Sequence, residues 1–293
     1  MKNQTTQDNQ VQNIDIRKVF MEKNPAIAKM LPGFIYRYIK RIIHQDFINN
    51  LLDKHGQKRG LNFVDAVIED FNVKFVIRGE ENLPSEGRYI FAANHPMGGF
   101  DGIILMHILG QKYDEVKFLV NDILLNIKNL EELFVPINKH GGHSREAARV
   151  VEEVFQSRAQ VLTFPAGLVS RKLKGKVVDL EWKKNFINKS VQYQRDVIPV
   201  YMSGRNSNWF YNLARIRKFL GIKWNLEMFY LMDETYQHRD KTIHVVFGKP
   251  ISYKVFDKSK DAKAWAKEVK NKVYLLKPEE INEMNEIKDE YRP

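Results

Sequence analysis

The sequence predicts an α/β domain in which a mainly parallel, mixed sheet is flanked by helices, with an N-terminal amphipathic helical elaboration. From residue 73 onward, short apolar runs alternate with stretches of helical spacing, which is typical of a parallel sheet with crossover helices. Before residue 61, apolar residues recur at steps of three and four. No internal repeat and no Pro/Gly/Ser-rich linker interrupts the chain, so we expect one domain over residues 61–293.

The composition excludes several function classes. The 293 residues hold 47 Lys and Arg against 36 Asp and Glu, a formal net charge of +11, and no cysteine. Without cysteine there is no disulfide, no thiolate zinc site and no cysteine nucleophile. The positive charge favours an anionic partner, and nucleic acid, a phospholipid surface and a phosphorylated ligand all remain open.

The first sixty residues predict a tail followed by amphipathic helices. Residues 1–20 begin with a polar stretch that lacks the apolar core of a secretory signal, and we expect a disordered tail. Residues 21–60 place cations between apolar positions, and Pro32-Gly33 is expected to separate a short helix from a longer one. These helices can lie on anionic lipid or pack on their own domain, and the two alternatives do not exclude each other. No stretch reaches the roughly 18–20 apolar residues of a membrane span, so we expect a cytoplasmic protein whose membrane contact is peripheral.

The predicted elements of the domain follow its apolar runs. Strands are predicted at Val73–Ile77, Tyr89–Ala93, Val116–Val120, Leu133–Ile137, Gln160–Phe164, Val197–Met202, Leu226–Met232 and Ile243–Phe247. Helices are predicted at 61–70, 101–111, 122–132, 143–157, 181–194, 208–220 and 260–276. Ligands of such sheets bind beyond the carboxyl ends of strands. Three predicted strand ends carry residues of chemical interest, and these segments begin at Asn94, Asn138 and Pro165.

The first of these strand ends predicts a histidine–aspartate pair within residues 89–102, YIFAANHPMGGFDG. Histidine is well suited to act as general base near neutral pH, and a carboxylate at its other ring nitrogen would fix the tautomer. Gly98 and Gly99 allow the chain to turn back, so His95 and Asp101 can meet although they are six positions apart. Asp101 also suits a helix N-cap, and in that alternative His95 is only a turn residue.

Four segments, taken in order, resemble the glycerophospholipid acyltransferases, the family of 1-acylglycerol-3-phosphate acyltransferases. The similar segments are Asn94-His95 with Asp101 (family N-H-x4-D), Phe134–Lys139 (an apolar strand ending in Arg), Phe164–Ser170 (FPEGTRS) and Val197–Val200 (VIPV). The resemblance covers about residues 73–205 and implies the glycerolipid acyltransferase fold for the domain. It also implies a bacterial enzyme of phospholipid metabolism and lipid biosynthesis.

Differences from the family pattern concern the acceptor. The interval from His95 to Asp101 is one residue longer than usual, and NHPxGGxDG resembles the branch with hemolysin-like proteins and the O-acyltransferases of ornithine and glycine lipids. Ala166 stands where the family has a Glu that helps to hold glycerol phosphate, and Lys139 stands where it has Arg. The resemblance therefore supports the type of reaction more strongly than the identity of the acceptor. Lysophosphatidic acid and a lyso-aminolipid both remain possible acceptors.

The resemblance implies an O-acyltransferase that needs no cofactor and no metal. His95 would take the proton of the acceptor hydroxyl as that oxygen attacks the thioester of acyl-ACP or acyl-CoA, and Asp101 would orient the imidazole. The turn at 96–99 is one possible source of oxyanion donors. The implied substrate-binding residues are Asn94, Gly98, Gly99, Lys139, Phe164, Pro165, Gly167, Ser170, Arg171 and Lys172. The implied partners are an acyl carrier protein or CoA thioester, a lyso-lipid acceptor and the anionic surface of the inner membrane.

Other signals leave alternatives open. The four cations of residues 171–176 suit a phosphate, a carboxylate head group or acyl-ACP, and they equally suit a solvated loop. His140 and His143 suggest a loop rather than a metal site, because two glycines separate them. Trp209-Phe210-Tyr211 suits either a membrane interface or the core. A catalytically silent lipid-binding relative is a second hypothesis. A basic nucleic-acid-binding protein is a third, but no zinc finger, RRM or helix-turn-helix pattern supports it, and no nucleic-acid partner is expected.

Overall fold

The computed structural model describes residues 13–23, 25–120, 127–137, 144–173, 175–222 and 226–279. Within them the helices are α1 Ile16–Lys23, α2 Pro25–Met30, α3 Gly33–Ile42, α4 Gln45–His55, α5 Gly60–Phe71, α6 Gly99–Gly110, α7 Ser144–Gln156, α8 Asn185–Tyr193, α9 Asn208–Phe219, α10 Leu231–Tyr236 and α11 Ala262–Leu275. The strands are β1 Lys74–Arg78, β2 Tyr89–Ala93, β3 Val116–Val120, β4 Phe134–Pro136, β5 Gln160–Thr163, β6 Arg171–Leu173, β7 Lys176–Val178, β8 Asp196–Met202 and β9 Thr242–Phe247. The predictions at Asn138, Lys139, His140 and His143 lie outside the described residues.

Seven strands form one mixed sheet in the order β1-β9-β8-β2-β5-β3-β4. Every pairing in it is parallel except that of β8 with β9, so β1 and β9 run against the other five strands. The strands β6 and β7 pair separately as a short antiparallel hairpin. This architecture confirms the predicted α/β class with a mainly parallel, mixed sheet.

The sheet is buried on both faces, as the continuous apolar runs of its strands require. In β2, Phe91 and Ala93 join the core that includes side chains of α5 and α6. The alternate residues Ile90 and Ala92 join the core on the other face, with side chains of α7, α8 and α11. The strand therefore has helices on both sides, and only its carboxyl end is left to present a polar residue.

The chain connections reverse direction between β2 and β5, which are neighbours in the sheet. From β2 the chain continues through α6, on one face, to β3. From β5 it continues through α8, on the other face, to β8. Such a reversal opens a crevice beyond the carboxyl ends of the two strands, where ligands of open α/β sheets bind. His95 and Phe164 both follow strands at this crevice.

The N-terminal helices begin earlier than expected. Helix α1 starts at Ile16, and the Ile14 N–H donates to the Asn49 side-chain oxygen of α4 at 2.8 Å. The disordered tail predicted over residues 1–20 is therefore corrected for residues 13–20, while residues 1–12 lie outside the described part. Pro32-Gly33 separates α2 from α3, and an additional turn precedes α4. Among the described residues, no helix is both long and apolar enough to cross a bilayer.

Two predicted elements differ in the structure. The strand predicted at Leu226–Met232 is wrong, because Leu226–Tyr230 forms a 3-10 turn that leads into α10. Its short apolar run fits either structure, and the buried carboxylates of Glu227 and Glu234 lie seven residues apart, a helical interval. The helix predicted at 122–132 is a 3-10 turn, Lys128–Leu133, in its described portion. The basic segment after residue 170, which the sequence left open between an anion-binding segment and a solvated loop, contains the β6–β7 hairpin.

Candidate active site

His95 and Asp101 form the predicted pair at the carboxyl end of β2. The His95 Nδ1 and Asp101 Oδ2 atoms lie 2.9 Å apart. The Asp101 side chain is fully buried, whereas 14% of the His95 side chain stays exposed. The imidazole therefore has its Nδ1 nitrogen held by a buried carboxylate, while part of the side chain remains exposed.

Asp101 also holds the turn that follows His95. Its Oδ2 accepts the N–H groups of Met97 and Gly98, each at 2.9 Å, and its own N–H donates to the Gly98 carbonyl at 3.0 Å. The N-cap of α6 is Gly98 rather than Asp101, which is the third residue of the helix, and the Asp101 carboxylate pairs with His95 while it also accepts the N-cap N–H. Burial raises the pKa of Asp101, and the hydrogen bonds from His95, Met97 and Gly98 act in the opposite direction.

Two glycines are required here by close packing. Gly98 has a φ of +97°, and a Cβ at this position would lie 2.8 Å from Leu231 Cδ1 of α10. A Cβ on Gly102 would lie 2.3 Å from the Phe118 ring, so α6 approaches β3 closely only because this residue has no side chain. The segment GGFDG therefore serves the turn and the seating of α6 together.

The FPAG segment after β5 forms the neighbouring wall. The Phe164 ring stacks on the His95 imidazole, with centroids 4.3 Å apart. The Gly167 N–H donates to the Phe164 carbonyl at 2.9 Å, and the Pro165 carbonyl accepts the Lys183 N–H at 2.9 Å. Phe164 therefore contacts His95 directly, and Pro165 and Gly167 lie in the turn that follows it.

Asp179 is a residue of this region that the sequence did not single out. Its Oδ1 accepts the His95 backbone N–H at 3.1 Å and the Ser170 hydroxyl, and its Oδ2 accepts the Trp182 indole N–H at 2.8 Å. The Asp179 N–H donates to the Tyr274 hydroxyl at 2.7 Å. Because it lies just beyond the β6–β7 hairpin, Asp179 joins the strand end that carries His95 to the segment after β5.

Three of the residues expected to bind substrate have side chains that are hydrogen-bonded or ion-paired within the protein. The Asn94 amide exchanges two hydrogen bonds with the backbone of Met202, so it clamps β2 to β8. The buried Ser170 hydroxyl is committed to Asp179, and the Ser170 N–H donates to the His95 carbonyl at 2.8 Å. The third is Arg171.

Arg171 belongs to a buried ion-pair group. One of its guanidinium nitrogens lies 3.1 Å from Glu227, which also pairs with Arg217 at 2.8 Å. Burial lowers the pKa of Arg171, and the Glu227 carboxylate opposes that shift. Lys172, by contrast, is exposed and donates to the Asn208 side chain at 3.3 Å. Arg171 therefore braces the hairpin against α9, and Lys172 is the predicted cation that remains at the surface.

The position where the resembling family has a glutamate is apolar in this protein. Ala166 is 5% exposed and belongs to the hydrophobic core that includes Trp182 and Phe186. This position therefore offers no carboxylate, in contrast to the pattern of the resembling family.

The chain is similar to one family profile, to two named proteins and to one solved structure. A profile of the family described as Acyltransferase matches residues 18–282. The chain is 50% identical over 264 residues to a Bacteroides thetaiotaomicron protein named lyso-glycine lipid O-acyltransferase, covering 90% of this chain and 97% of that protein. A Phocaeicola vulgatus protein of the same name is 46% identical over 270 residues, covering 92% and 97%. The crystal structure of the 1-acyl-sn-glycerophosphate (LPA) acyltransferase PlsC from Thermotoga maritima aligns with a TM-score of 0.47 and 18% identity, over 83% of this chain and 92% of that one.

Proposed function

The chain belongs to the acyltransferase family, as the four sequence blocks predicted, and we propose that it transfers a fatty acyl group from an acyl thioester to the hydroxyl of a lyso-glycine lipid. Two relatives named for this activity are 50% and 46% identical to the chain across 97% of their own length. The buried, apolar setting of Ala166 supports the same choice over lysophosphatidic acid. A glycine lipid carries no glycerol phosphate and needs no carboxylate at this position.

The observation that carries the proposal is the pairing of His95 with Asp101 at the crevice of the sheet. His95 Nε2 removes the proton from the acceptor hydroxyl while the hydroxyl oxygen attacks the thioester carbonyl. The tetrahedral intermediate then collapses, the carbon–sulfur bond breaks, and the imidazolium returns its proton to the leaving thiolate. The Asp101 carboxylate stabilises the imidazolium between these two steps.

The oxyanion requires hydrogen-bond donors, and the turn after His95 has few left to offer. Pro96 has no N–H, and those of Met97 and Gly98 already donate to Asp101. The Gly99 N–H, at the first position of α6, does not donate to the Asp101 carboxylate. It is therefore the donor that this turn can offer to the oxyanion. The N-terminal end of a helix also favours negative charge, which adds to that donor.

Positive charge on the surface of the protein supports a choice of acyl donor and a contact with the membrane. We propose acyl-ACP or acyl-CoA as the donor, because exposed Lys172 and the basic hairpin border the site and suit an acidic carrier or a phosphate. Helix α3 exposes Phe34 beside Arg37 and Arg41, a pattern that suits an anionic lipid surface. A peripheral contact there would bring the site to its lipid acceptor.

The test is an assay of purified protein with lyso-glycine lipid and either acyl-ACP or acyl-CoA, read as diacylated product. His95→Ala is expected to lower the rate by roughly 10²–10⁴. The matched control is His107→Ala, because His107 forms another His–Asp pair, with Asp65 at 2.7 Å, on the far part of α6. Full turnover by His95→Ala would overturn the mechanism. Faster acylation of lysophosphatidic acid than of lyso-glycine lipid would overturn the acceptor.

A further inference from the structure

Large apolar side chains are exposed on α3, on α9 and on the 3-10 turn that precedes α10. We call this surface the aromatic platform, and it consists of Phe34, Tyr38, Trp209, Ile216, Phe219, Leu220 and Phe229. Phe219 is 89% exposed and Phe229 is 67% exposed. Soluble proteins rarely leave a large contiguous apolar patch uncovered, and such patches mark interaction sites.

Side-chain contacts link the three segments of the platform, although these segments lie far apart in the chain. The hydroxyl groups of Tyr38 and Tyr230 are hydrogen-bonded, which joins α3 to the 3-10 turn. The Tyr230 ring meets the Trp209 ring edge-on, with centroids 6.0 Å apart, which joins the turn to α9. Along α9, Trp209 and Ile216 lie seven residues apart and so share one helix face.

The opposite side of α9 is packed. Phe210, Tyr211 and Ala214 are buried, and Phe210 and Tyr211 form a small core with Val169. From the sequence, Trp209-Phe210-Tyr211 could lie either at a membrane interface or in the core. The structure separates the three residues: Trp209 faces outward and the other two face inward. Helix α9 therefore carries apolar residues on its buried side and a second set, at helical spacing, on its exposed side.

Both helical segments of the platform carry cations and no acidic residue, whereas Glu227 of the 3-10 turn is buried in its ion pairs with Arg171 and Arg217. Residues 25–43 contain four cations and no acid, and residues 208–222 contain three cations and no acid. A second copy of this chain, with a net charge of +11, would bring the same cations into contact. An anionic lipid surface instead complements them, and Trp and Tyr are the residues that favour the boundary between lipid and water.

The platform is fixed to the active site by two direct contacts. Leu231, which follows the 3-10 turn, packs on Gly98 of the turn after His95. Glu227, inside the 3-10 turn, pairs both with Arg217 of α9 and with Arg171 at the start of the hairpin. A surface held in this way cannot tilt without moving the residues that surround His95.

We propose that the aromatic platform inserts into the interface of an anionic bilayer, with α9 as a second lipid contact beside α3, and so sets how the His95 edge of the sheet faces the membrane. The inference rests on the proposed function in that the acceptor is a lipid located in that bilayer. The aromatic platform contacts the lipid surface itself and does not bind a single lipid molecule in a pocket. The proposal predicts that α9 contributes to membrane affinity independently of α3.

The experiment measures co-sedimentation of the full chain with phosphatidylcholine vesicles that contain or lack phosphatidylglycerol. The double variant Phe219→Ser with Leu220→Ser is expected to weaken binding to the anionic vesicles by about tenfold or more. The matched control is Leu275→Ser, since Leu275 is 83% exposed at the end of α11, which packs on the other face of the sheet. The control is expected to bind as the wild type does.

Activity gives the second measurement. With acceptor embedded in anionic vesicles, the double variant is expected to need about tenfold more lipid for half-maximal rate, whereas its rate with a short-chain, monomeric acceptor stays unchanged. Unchanged vesicle binding by the double variant overturns the proposal. A loss of dimer or of acyl-ACP binding without any loss of vesicle binding also overturns it. If the vesicle contrast holds but the wild type acylates no lyso-lipid, the proposed function fails and the lipid contact stands.

Discussion

The imidazole of His95 lies on the phenyl ring of Phe164, with the ring planes 14° from parallel and the centroids 4.3 Å apart. These residues follow the neighbouring strands β2 and β5, so the sheet register sets one against the other. Phe164 also meets Phe118 edge-on at 5.4 Å. The imidazole is thus held at one face by an aromatic ring and at Nδ1 by Asp101, which leaves Nε2 in a fixed direction.

Replacing the stacked ring tests whether this placement matters for the proposed reaction. Phe164→Leu keeps an apolar side chain but removes the flat surface, so we expect kcat to fall about tenfold while KM for both substrates changes little. Steady-state kinetics with each substrate varied separately measures the two effects. Phe256→Leu is the control, because Phe256 is buried in the opposite core and should affect stability alone. Equal kcat in the wild type and Phe164→Leu would show that Asp101 suffices to hold the imidazole.

Asp101→Asn separates orientation from charge. Met97 and Gly98 donate to Oδ2, so an amide oxygen is favoured there and still accepts the His95 Nδ1–H. The variant therefore keeps the tautomer but loses the negative charge that stabilises the imidazolium formed during the reaction. We expect the rate to fall by about 10² or more, measured as kcat with both substrates saturating. Wild-type turnover by Asp101→Asn would contradict the assigned role of the Asp101 charge.

The sequence predicted the elements whose pattern is local. Both ends of β2 and β3 agree with the prediction, since each is a continuous apolar run bounded by turn residues. The His95–Asp101 pair could be predicted because its pattern is also local: one short glycine turn joins the two residues. The run at 226–232 failed because its apolar residues fit strand and helix equally well.

The hydrogen-bond and ion-pair partners of the side chains could not be predicted from the sequence. Ser170, Asn94 and Arg171 suit a substrate by residue type, but each is satisfied by a group 9, 108 or 56 positions away. Such pairings depend on how the sheet and the hairpin fold together, and no spacing rule encodes them. Asp179 was missed for the same reason, since nothing near it in the chain shows that it accepts the His95 N–H.

The Asp179 hydrogen bonds predict strong coupling between two substitutions. In Asp179→Asn, the amide keeps one oxygen for the His95 N–H and turns its NH2 toward the Trp182 indole N–H, leaving buried donors facing each other. We expect a loss of about 1–3 kcal/mol in the free energy of unfolding and a lower kcat. Trp182→Phe removes the opposed donor, so in the Asp179→Asn background it should cost less than it does in the wild type. Urea unfolding of the four proteins measures this coupling.

Additive effects in that cycle would mean that the Trp182 hydrogen bond does not set the cost of changing Asp179. The kinetic part has its own check, because a purely structural loss would lower the active fraction without changing the pH dependence of kcat. A changed pH profile in Asp179→Asn would instead indicate that the backbone hydrogen bond positions His95. The conservative variant Asp179→Glu is expected to recover neither property, since its longer side chain cannot occupy the same buried position.

His238 predicts an acid-sensitive step in the stability of the fold beside the site. It is buried against Phe100 at the start of α6, and burial, helped by the charge of Lys241, lowers its pKa to about 3. The folded protein keeps His238 neutral where the unfolded chain binds a proton, so its contribution is complete above about pH 6.5 and falls as the pH drops toward 3. Between pH 6.5 and 5 this amounts to a loss of about 2 kcal/mol in the free energy of unfolding. His238→Gln, which cannot take up the proton, should flatten the curve of unfolding free energy against pH by that amount. Parallel curves for the two proteins would show that His238 is protonated in the folded state without cost.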